Sequence, residues 1–372
     1  MILKNAKVFY QGEFKRLDIR LEKEYIAEIS ECIAAGEFLD CSGKLLIPGL
    51  IDLHTHGCIG YDFSSASVNE IEMMSCFYAE HGVTSVLCTT MTMEYGSHCR
   101  AMKNLREAIE RRGRGCNFLG IRTEGPFLGA DKKGAHDAGF LSDIDEEKFL
   151  QLDELSGHHI RLADIDPCLP DALRFIEKYS KEKIISLAHT SCNYELGCKA
   201  VKAGASQVTH LFNAMNGLHH REPGLIGVVS DCKVHAELIC DGIHIHPGVI
   251  RLVYKALADR MIMISDSMSA AGLKDGEYQL GGQKVYVYEG KAALADGTIA
   301  GSTITVYDAL RNNIRFGVNV KDAILSATLQ PAQAIHAEDR IGSLEAGKQA
   351  DLLLVSPDFD LERVILRGTI FQ

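Results

Sequence analysis

Between residues 48 and 272, apolar runs of strand length alternate with segments of helical period, and this rhythm restricts the chain to folds built on a parallel sheet. Eight runs qualify: Leu50-His56, Thr84-Thr90, Phe118-Glu124, Ile160-Asp166, Ile184-His189, Gln207-Phe212, His235-Asp241 and Met261-Asp266. The count predicts an α/β fold, an eightfold β/α barrel of the TIM type. One intervening helix opens on the capping box Ser67-Val68-Asn69-Glu70, presents Ile71, Met74 and Phe77 or Tyr78 on one face, and stops at Gly82. Others are expected over Cys99-Arg112, Asp171-Glu182, Tyr194-Ala203 and Pro247-Arg260. The Gly-rich stretch Leu273-Asp296 breaks the rhythm and reads as an inserted hairpin.

Outside the barrel the period changes to two. Asp18-Ile19-Arg20-Leu21-Glu22 and Ile26-Ala27-Glu28-Ile29 near one end, and Asp351-Val355 and Val364-Gly368 near the other, read as short antiparallel strands with one wet face. Neither set is large enough to close a core alone. Residues 1–47 and 343–372 are therefore expected to form one small β-sandwich domain, with residues 48–342 forming the barrel. A chain of 372 residues accommodates this arrangement.

A net charge of −11 supplies no global field for nucleic acid or an anionic membrane, so an anionic substrate must be held by local groups. No run is long and apolar enough to span a bilayer, and Met1-Lys7 lacks the apolar core of a signal peptide, which makes the cytoplasm the expected location. The 12 cysteines include no Cys-x-x-Cys pair and read as reduced thiols.

In a β/α barrel the chemistry sits where the strands end. The first run ends in His54 and His56, the third in Glu124, the fifth in His189, the sixth passes through His210, and the eighth ends in Asp266. His54 and His56 are two apart, so an extended strand points both to one side, where they can clamp a cation. Fifteen histidines in 372 residues leave less than one such pair expected by chance, yet a second pair, His244-Ile245-His246, also occurs, so spacing alone does not identify a ligand pair. Glu124 with His189 and His210 makes a nitrogen and oxygen donor set suited to Zn²⁺ or Fe²⁺ rather than Mg²⁺ or Ca²⁺. The bland readings are a solvated loop glutamate and satisfied core histidines; position at successive strand ends weighs against them. Asp266 closes the apolar run Met261-Ser265 and is either a helix cap or a proton acceptor for water beside a cation.

Several segments carry a family likeness: Pro48-Gly49-Leu50-Ile51-Asp52-Leu53-His54-Thr55-His56-Gly57, Thr123-Glu124-Gly125-Pro126-Phe127, Lys133-Gly134-Ala135-His136, Thr209-His210-Leu211-Phe212-Asn213-Ala214-Met215, Arg221-Glu222-Pro223-Gly224-Leu225, Asp241-Gly242-Ile243-His244, Ser265-Asp266-Ser267-Met268-Ser269 and Leu294-Ala295-Asp296-Gly297-Thr298-Ile299-Ala300-Gly301-Ser302. In order and over nearly the whole chain, they resemble the N-acetylglucosamine-6-phosphate deacetylases of the amidohydrolase superfamily. The resemblance implies deacetylation of a sugar phosphate in amino-sugar catabolism and cell-wall sugar recycling. It makes Glu124, His189 and His210 metal ligands, Asp266 the catalytic acid/base, and His136 the group on the substrate amide. It assigns Ala135, Asn213, Ala214, Arg221, His244 and the Ile299-Ala300-Gly301 loop to sugar and phosphate, with Arg221 reaching the neighbouring subunit of a homodimer.

Some relatives replace both histidines of the opening motif, whereas this chain keeps His54 and His56, so one or two ions per subunit are open. The carbamylated lysine of other branches has no counterpart in Ile160-Asp166, and a second ion would need Glu124 as a bridge. The alternatives are the galacto epimer of the substrate, an acyl-amino-acid or cyclic-amide hydrolase, and a non-catalytic sugar-phosphate-binding paralogue.

Overall fold

The computed structural model describes residues 1–34 and 36–371. Its centre is an eight-stranded sheet of β1 (Leu50–Thr55), β2 (Val83–Thr90), β3 (Asn117–Glu124), β4 (Ile160–Ile165), β5 (Ile184–Leu187), β6 (Gln207–Val208), β7 (His235–Ile239) and β8 (Met261–Ile264). Neighbours in sequence are neighbours in the sheet, and every pairing is parallel. The seam between β8 and β1 is closed just past the strands by a parallel bridge between Thr55 and Ser267. Asp52 stitches it from within, accepting from the backbone N–H and the hydroxyl of Ser265.

Alternation along the strands separates two apolar layers. Met261 and Met263 join the outer cluster that holds helix residues such as Met74, Phe77, Met102 and Phe175, while Ile262 and Ile264 join Ile51, Leu53, Leu87 and Leu162 inside the barrel. Ala332, Ile335 and Ile341 pack onto that inner cluster.

All eight expected strands are present, and β5, β6, β7 and β8 are two or more residues shorter than their apolar runs at the carboxyl end. The helix at Val68–Glu80 has its full capping box on Ser67 and Glu70. The second helix begins at Tyr95 rather than Cys99, because Glu94, an unusual cap, accepts from the N–H groups of Gly96 and Ser97. The segment expected over Asp171-Glu182 is helical only over Ala172–Tyr179. Helices not anticipated are Glu146–Leu155, Gly224–Cys232, Val306–Arg315, Val320–Ser326 and Leu329–Ala334. The stretch after β8 is a three-stranded antiparallel sheet rather than one hairpin. Its first turn, Gly281-Gly282, has φ of +55° and +83°, and its second, Glu289-Gly290, has +50° and +75°. Both suit a two-residue hairpin, and the second is hidden in sequence because glutamate seldom occupies such a position.

The two chain ends interleave. One sheet orders Tyr25–Ser30, Asp18–Glu22, Ile2–Lys4 and Phe38–Asp40; the other places Leu352–Val355 antiparallel beside Leu45–Pro48, which pairs in turn with Lys7–Tyr10. Each contains one parallel pairing, so these sheets are mixed rather than purely antiparallel. Leu46, Leu352 and Leu354 face a small core with Leu3, Ile19 and Ile26, whereas Ile47, Leu353 and Val355 face the barrel cluster.

Candidate active site

The ends of β1, β3, β5, β6 and β8 deliver His54, His56, Glu124, His189, His210 and Asp266 to one buried point. His189, His210 and Asp266 lie just beyond their strands, with φ of +45°, +26° and +49°. Left-handed backbone at non-glycine residues costs about 1–3 kcal/mol each and is held only where the surroundings enforce it, a pattern typical of functional sites. Behind Glu124 the chain needs Gly125: its φ is +99°, and a Cβ would stand 1.9 Å from the Thr92 hydroxyl.

Glu124 is the hub. Its Oε1 lies 3.1 Å from Nε2 of both His189 and His210 and 3.5 Å from Nε2 of His54, while Oε2 lies 3.2 Å from Nε2 of His56. The imidazoles also approach each other, with Nε2 to Nε2 separations of 3.2 Å for His54–His56 and for His189–His210. Asp266 Oδ1 completes the group at 3.3 Å from His56 and 3.5 Å from His54.

These distances fit a cation. Ligand atoms about 2.0–2.1 Å from one tetrahedral ion stand roughly 3.3 Å apart, which is the spacing of the facing Nε2 pairs. Two neutral imidazoles can share at most one proton between facing nitrogens, so lone pairs aimed at a common point are resolved by an ion placed there. Tautomers agree. His189 Nδ1–H donates to the Lys132 carbonyl at 2.8 Å, and His54 Nδ1 meets Glu237 Oε2 at 3.1 Å, so an ion that displaces their Nε2 protons would find a lone pair of each ring turned to it. Potential ligand atoms gather within 4.8 Å of one another in two sets, His54, His56 and Asp266 on one side and Glu124, His136 and His189 on the other.

His136 differs from the rest. Its Nδ1 accepts the Thr92 backbone N–H at 3.4 Å, so the neutral ring carries its proton on Nε2, and that atom points at Glu124 Oε2 at 3.4 Å. Burial, only partly offset by Glu124, pushes its pKa down to about 4. His136 therefore stands in the site as a neutral hydrogen-bond donor rather than as a lone-pair ligand. Burial alone would raise the pKa of Asp266, but the neighbouring His54 and His56 hold it well below the usual carboxylate range.

A buried ionic network supports the cluster. Arg122 pairs bidentately with Asp164 at 2.7 and 2.9 Å, pairs with Glu237, and donates to the Leu53 carbonyl and the Thr209 hydroxyl. Burial disfavours the Glu237 carboxylate, yet Arg122 and His54 bring its pKa down to about 2. These three charges were not picked out from the sequence; the signal was a charged residue in the middle of each of three apolar strands, which must pair when buried.

Above the cluster opens a cavity of about 290 Å³. Of the residues expected to hold a sugar phosphate, Ala135, His136, Asn213, Ala214, His244, Ile299 and Gly301 line it, and Ala300 is buried behind. His244 is oriented by Asp241, 2.6 Å from its Nδ1. Arg221 is exposed, donates from its guanidinium to His220 Nε2 and does not line this cavity. His246, the other half of the second histidine pair, caps the helix Pro247–Leu257. Met91 and Leu280 also line the cavity; Leu280 comes from the inserted sheet, and nothing in its local sequence marks it.

A β/α barrel carrying imidazoles and carboxylates at the carboxyl ends of its strands defines a class, the metal-dependent barrel hydrolases. The profile of the amidohydrolase family matches residues 45–371, and the chain belongs to that family, in its N-acetylglucosamine-6-phosphate deacetylase branch. The N-acetylglucosamine-6-phosphate deacetylase of Bacillus subtilis strain 168 is 39% identical over 334 residues, covering 88% of this chain and 84% of the relative. The N-acetylgalactosamine-6-phosphate deacetylase of Escherichia coli O157:H7 is 33% identical, covering 88% of each. Among solved structures, a mutant N-acetyl-D-glucosamine-6-phosphate deacetylase from Mycobacterium smegmatis in complex with N-acetyl-D-glucosamine-6-phosphate superposes with a TM-score of 0.94 at 27% identity, covering 100% of this chain and 99% of that one.

Proposed function

We infer that the chain hydrolyses the acetamide of N-acetyl-D-glucosamine 6-phosphate to acetate and D-glucosamine 6-phosphate. The observation that carries this reading is the convergence of the histidine and carboxylate side chains of the family motifs beneath a cavity of sugar size, in a chain 39% identical to a deacetylase of that substrate.

Glu124, His189 and His210 would hold one divalent cation, with His54 and His56 available for a second and Glu124 able to bridge. The nitrogen-rich donor set suits Zn²⁺ or Fe²⁺. Such an ion lowers the pKa of a bound water and polarises a carbonyl oxygen. Asp266 takes the proton of the attacking water, held ionised by the positive field of its surroundings, and returns it to the departing amine. His136, neutral and carrying its proton on Nε2, donates to the acetyl oxygen as negative charge gathers there. Asn213, Ala214, His244 and the 299–301 loop position the sugar phosphate.

Arg221 would serve the cavity of a neighbouring subunit in a homodimer. Its exposure and its place outside its own cavity support this, and a guanidinium matches a phosphate bidentately, which an acidic protein requires at such a site. Reduced thiols and the absence of any helix long and apolar enough to cross a membrane, among the described residues, accord with a cytoplasmic enzyme of amino-sugar breakdown.

The test is acetate release from both epimeric sugar phosphates by protein loaded with Zn²⁺ or Fe²⁺. The expected result is a higher kcat/KM on the gluco epimer. A preference for the galacto epimer would reassign the substrate, and no acetate from either would overturn the reading.

A further inference from the structure

A cavity of about 470 Å³, larger than the one over the histidines, opens at the opposite end of the barrel. Its walls come from the amino-terminal ends of β2, β3 and β4 and from the C-terminal segment. Four guanidiniums, those of Arg112, Arg161, Arg340 and Arg367, line it against the single carboxylate of Glu110. Among the described residues, Arg112 alone of the four is ion-paired, to Glu24, while Glu110 is engaged by Arg106.

The other arginines are held mainly by carbonyl oxygens, with the buried Asp351 carboxylate near enough to Arg367 to feel its charge. Arg367 donates to Asn117 Oδ1 at 3.1 Å and to the Gly113 and Arg114 carbonyls at 3.0 and 2.9 Å; Arg161 donates to the carbonyls of Ile335 and His336. Burial and the like charge of Arg340 depress the pKa of Arg161, with Asp339 opposing.

Two bulges shape this rim. The β2–β3 register passes from Val86–Phe118 to Leu87–Gly120 and leaves out Leu119; the β3–β4 register passes from Ile121–Ile160 to Arg122–Leu162 and leaves out Arg161. A bulge re-aims the side chain that it frees, and both freed residues line the cavity.

We propose that this cavity binds an oxyanion of the phosphate class, at a site separate from the deacetylase centre. The guanidiniums lining this partly desolvated hollow outnumber the carboxylates on its wall, and Arg161 and Arg340 repel each other; a phosphoryl group accepting from their forked N–H groups converts that repulsion into charge-assisted hydrogen bonds. The volume lies in the range of small-ligand pockets. Strand β3 lines this cavity with Asn117 to Gly120 and reaches the other with Glu124, which at roughly 3.3 Å per residue separates the two sites by about 13–23 Å.

The experiment is calorimetric titration of the metal-loaded protein with inorganic phosphate and, separately, pyrophosphate. Wild type is compared with Arg340→Glu and the milder Arg340→Gln, an exposed position where folding is checked by the thermal midpoint. Phosphate bound in the deacetylase cavity is common to all three proteins and cancels in the comparison. Supporting results are a dissociation constant raised about tenfold or more in Arg340→Glu, or severalfold in Arg340→Gln should the first variant misfold, with kcat and KM for the acetylated sugar phosphate within about twofold of wild type. Saturation by phosphate alone marks a single-phosphoryl site, and by pyrophosphate alone a diphosphoryl one. Equal affinities in all three proteins, or no saturation of wild type by either anion below about 10 mM, would overturn the proposal.

Discussion

At the scale of the residue, the site depends on which atom of each ring or carboxyl is free. His136 and His189 are both imidazoles beside Glu124, but a backbone N–H on Nδ1 makes the first a donor through Nε2, and a backbone carbonyl on Nδ1 leaves Nε2 of the second free to turn a lone pair towards an ion. Asp266→Asn keeps the shape and removes the proton acceptor, so kcat should drop by about 10²–10⁴ while KM changes little. Steady-state kinetics of the metal-loaded variant decide this, and near-normal turnover would remove Asp266 from the mechanism. Glu237→Gln weakens the partner of His54 Nδ1 and should cost about 10–100-fold in affinity for one ion. Elemental analysis after dialysis against graded metal buffers reads that loss independently of turnover. Unchanged ion content would make Glu237 a partner of Arg122 alone.

At the scale of the element, helices and strands position these atoms and carry their own proton linkage. His98 sits on the buried face of the helix Tyr95–Arg111 and meets the Thr90 hydroxyl at the end of β2 at 3.0 Å. Burial pushes its pKa down from 6.5 to about 4. The unfolded chain therefore takes up a proton near pH 6.5 that the folded protein refuses until about pH 4. This contribution is whole above pH 6.5 and is lost progressively as pH falls towards 4, amounting to on the order of 3 kcal/mol. Urea unfolding of wild type and His98→Gln at several pH values should show wild type losing its stability relative to the variant across that window. A difference independent of pH would contradict the assignment. The elements also show what was readable beforehand. Capping box and strand runs are local signals, and they were legible. The helix Gly224–Cys232 follows a Pro-Gly step, and Leu329–Ala334 carries an internal Pro331, so their sequences argue against the helices that packing imposes.

At the scale of the whole molecule, the inserted sheet helps settle what reaches the cavity. Leu280 from the inserted sheet walls it, and Arg221 is exposed and does not line it. If Arg221 serves a neighbouring subunit, Arg221→Ala should raise KM for the phosphorylated sugar about tenfold or more and barely alter that for the unphosphorylated sugar. Mixing Arg221→Ala with an Asp266→Asn variant should then restore part of the activity, because one mixed site regains both groups. Kinetics of the mixture after subunit exchange test this, and no recovery would place the arginine elsewhere.

The amino-acid sequence by itself determined the barrel, since eight apolar runs separated by helical periods admit few other closed cores. It also marked the side chains that meet beneath the cavity, because imidazoles and carboxylates ending apolar strands are too costly to place there without a partner. Only the tertiary structure decided their chemistry. Ring tautomers and the Arg122–Asp164–Glu237 network arise from contacts between segments 42 to 183 positions apart. No local pattern encodes such contacts, because burial and hydrogen-bond partners come into being when the sheet closes.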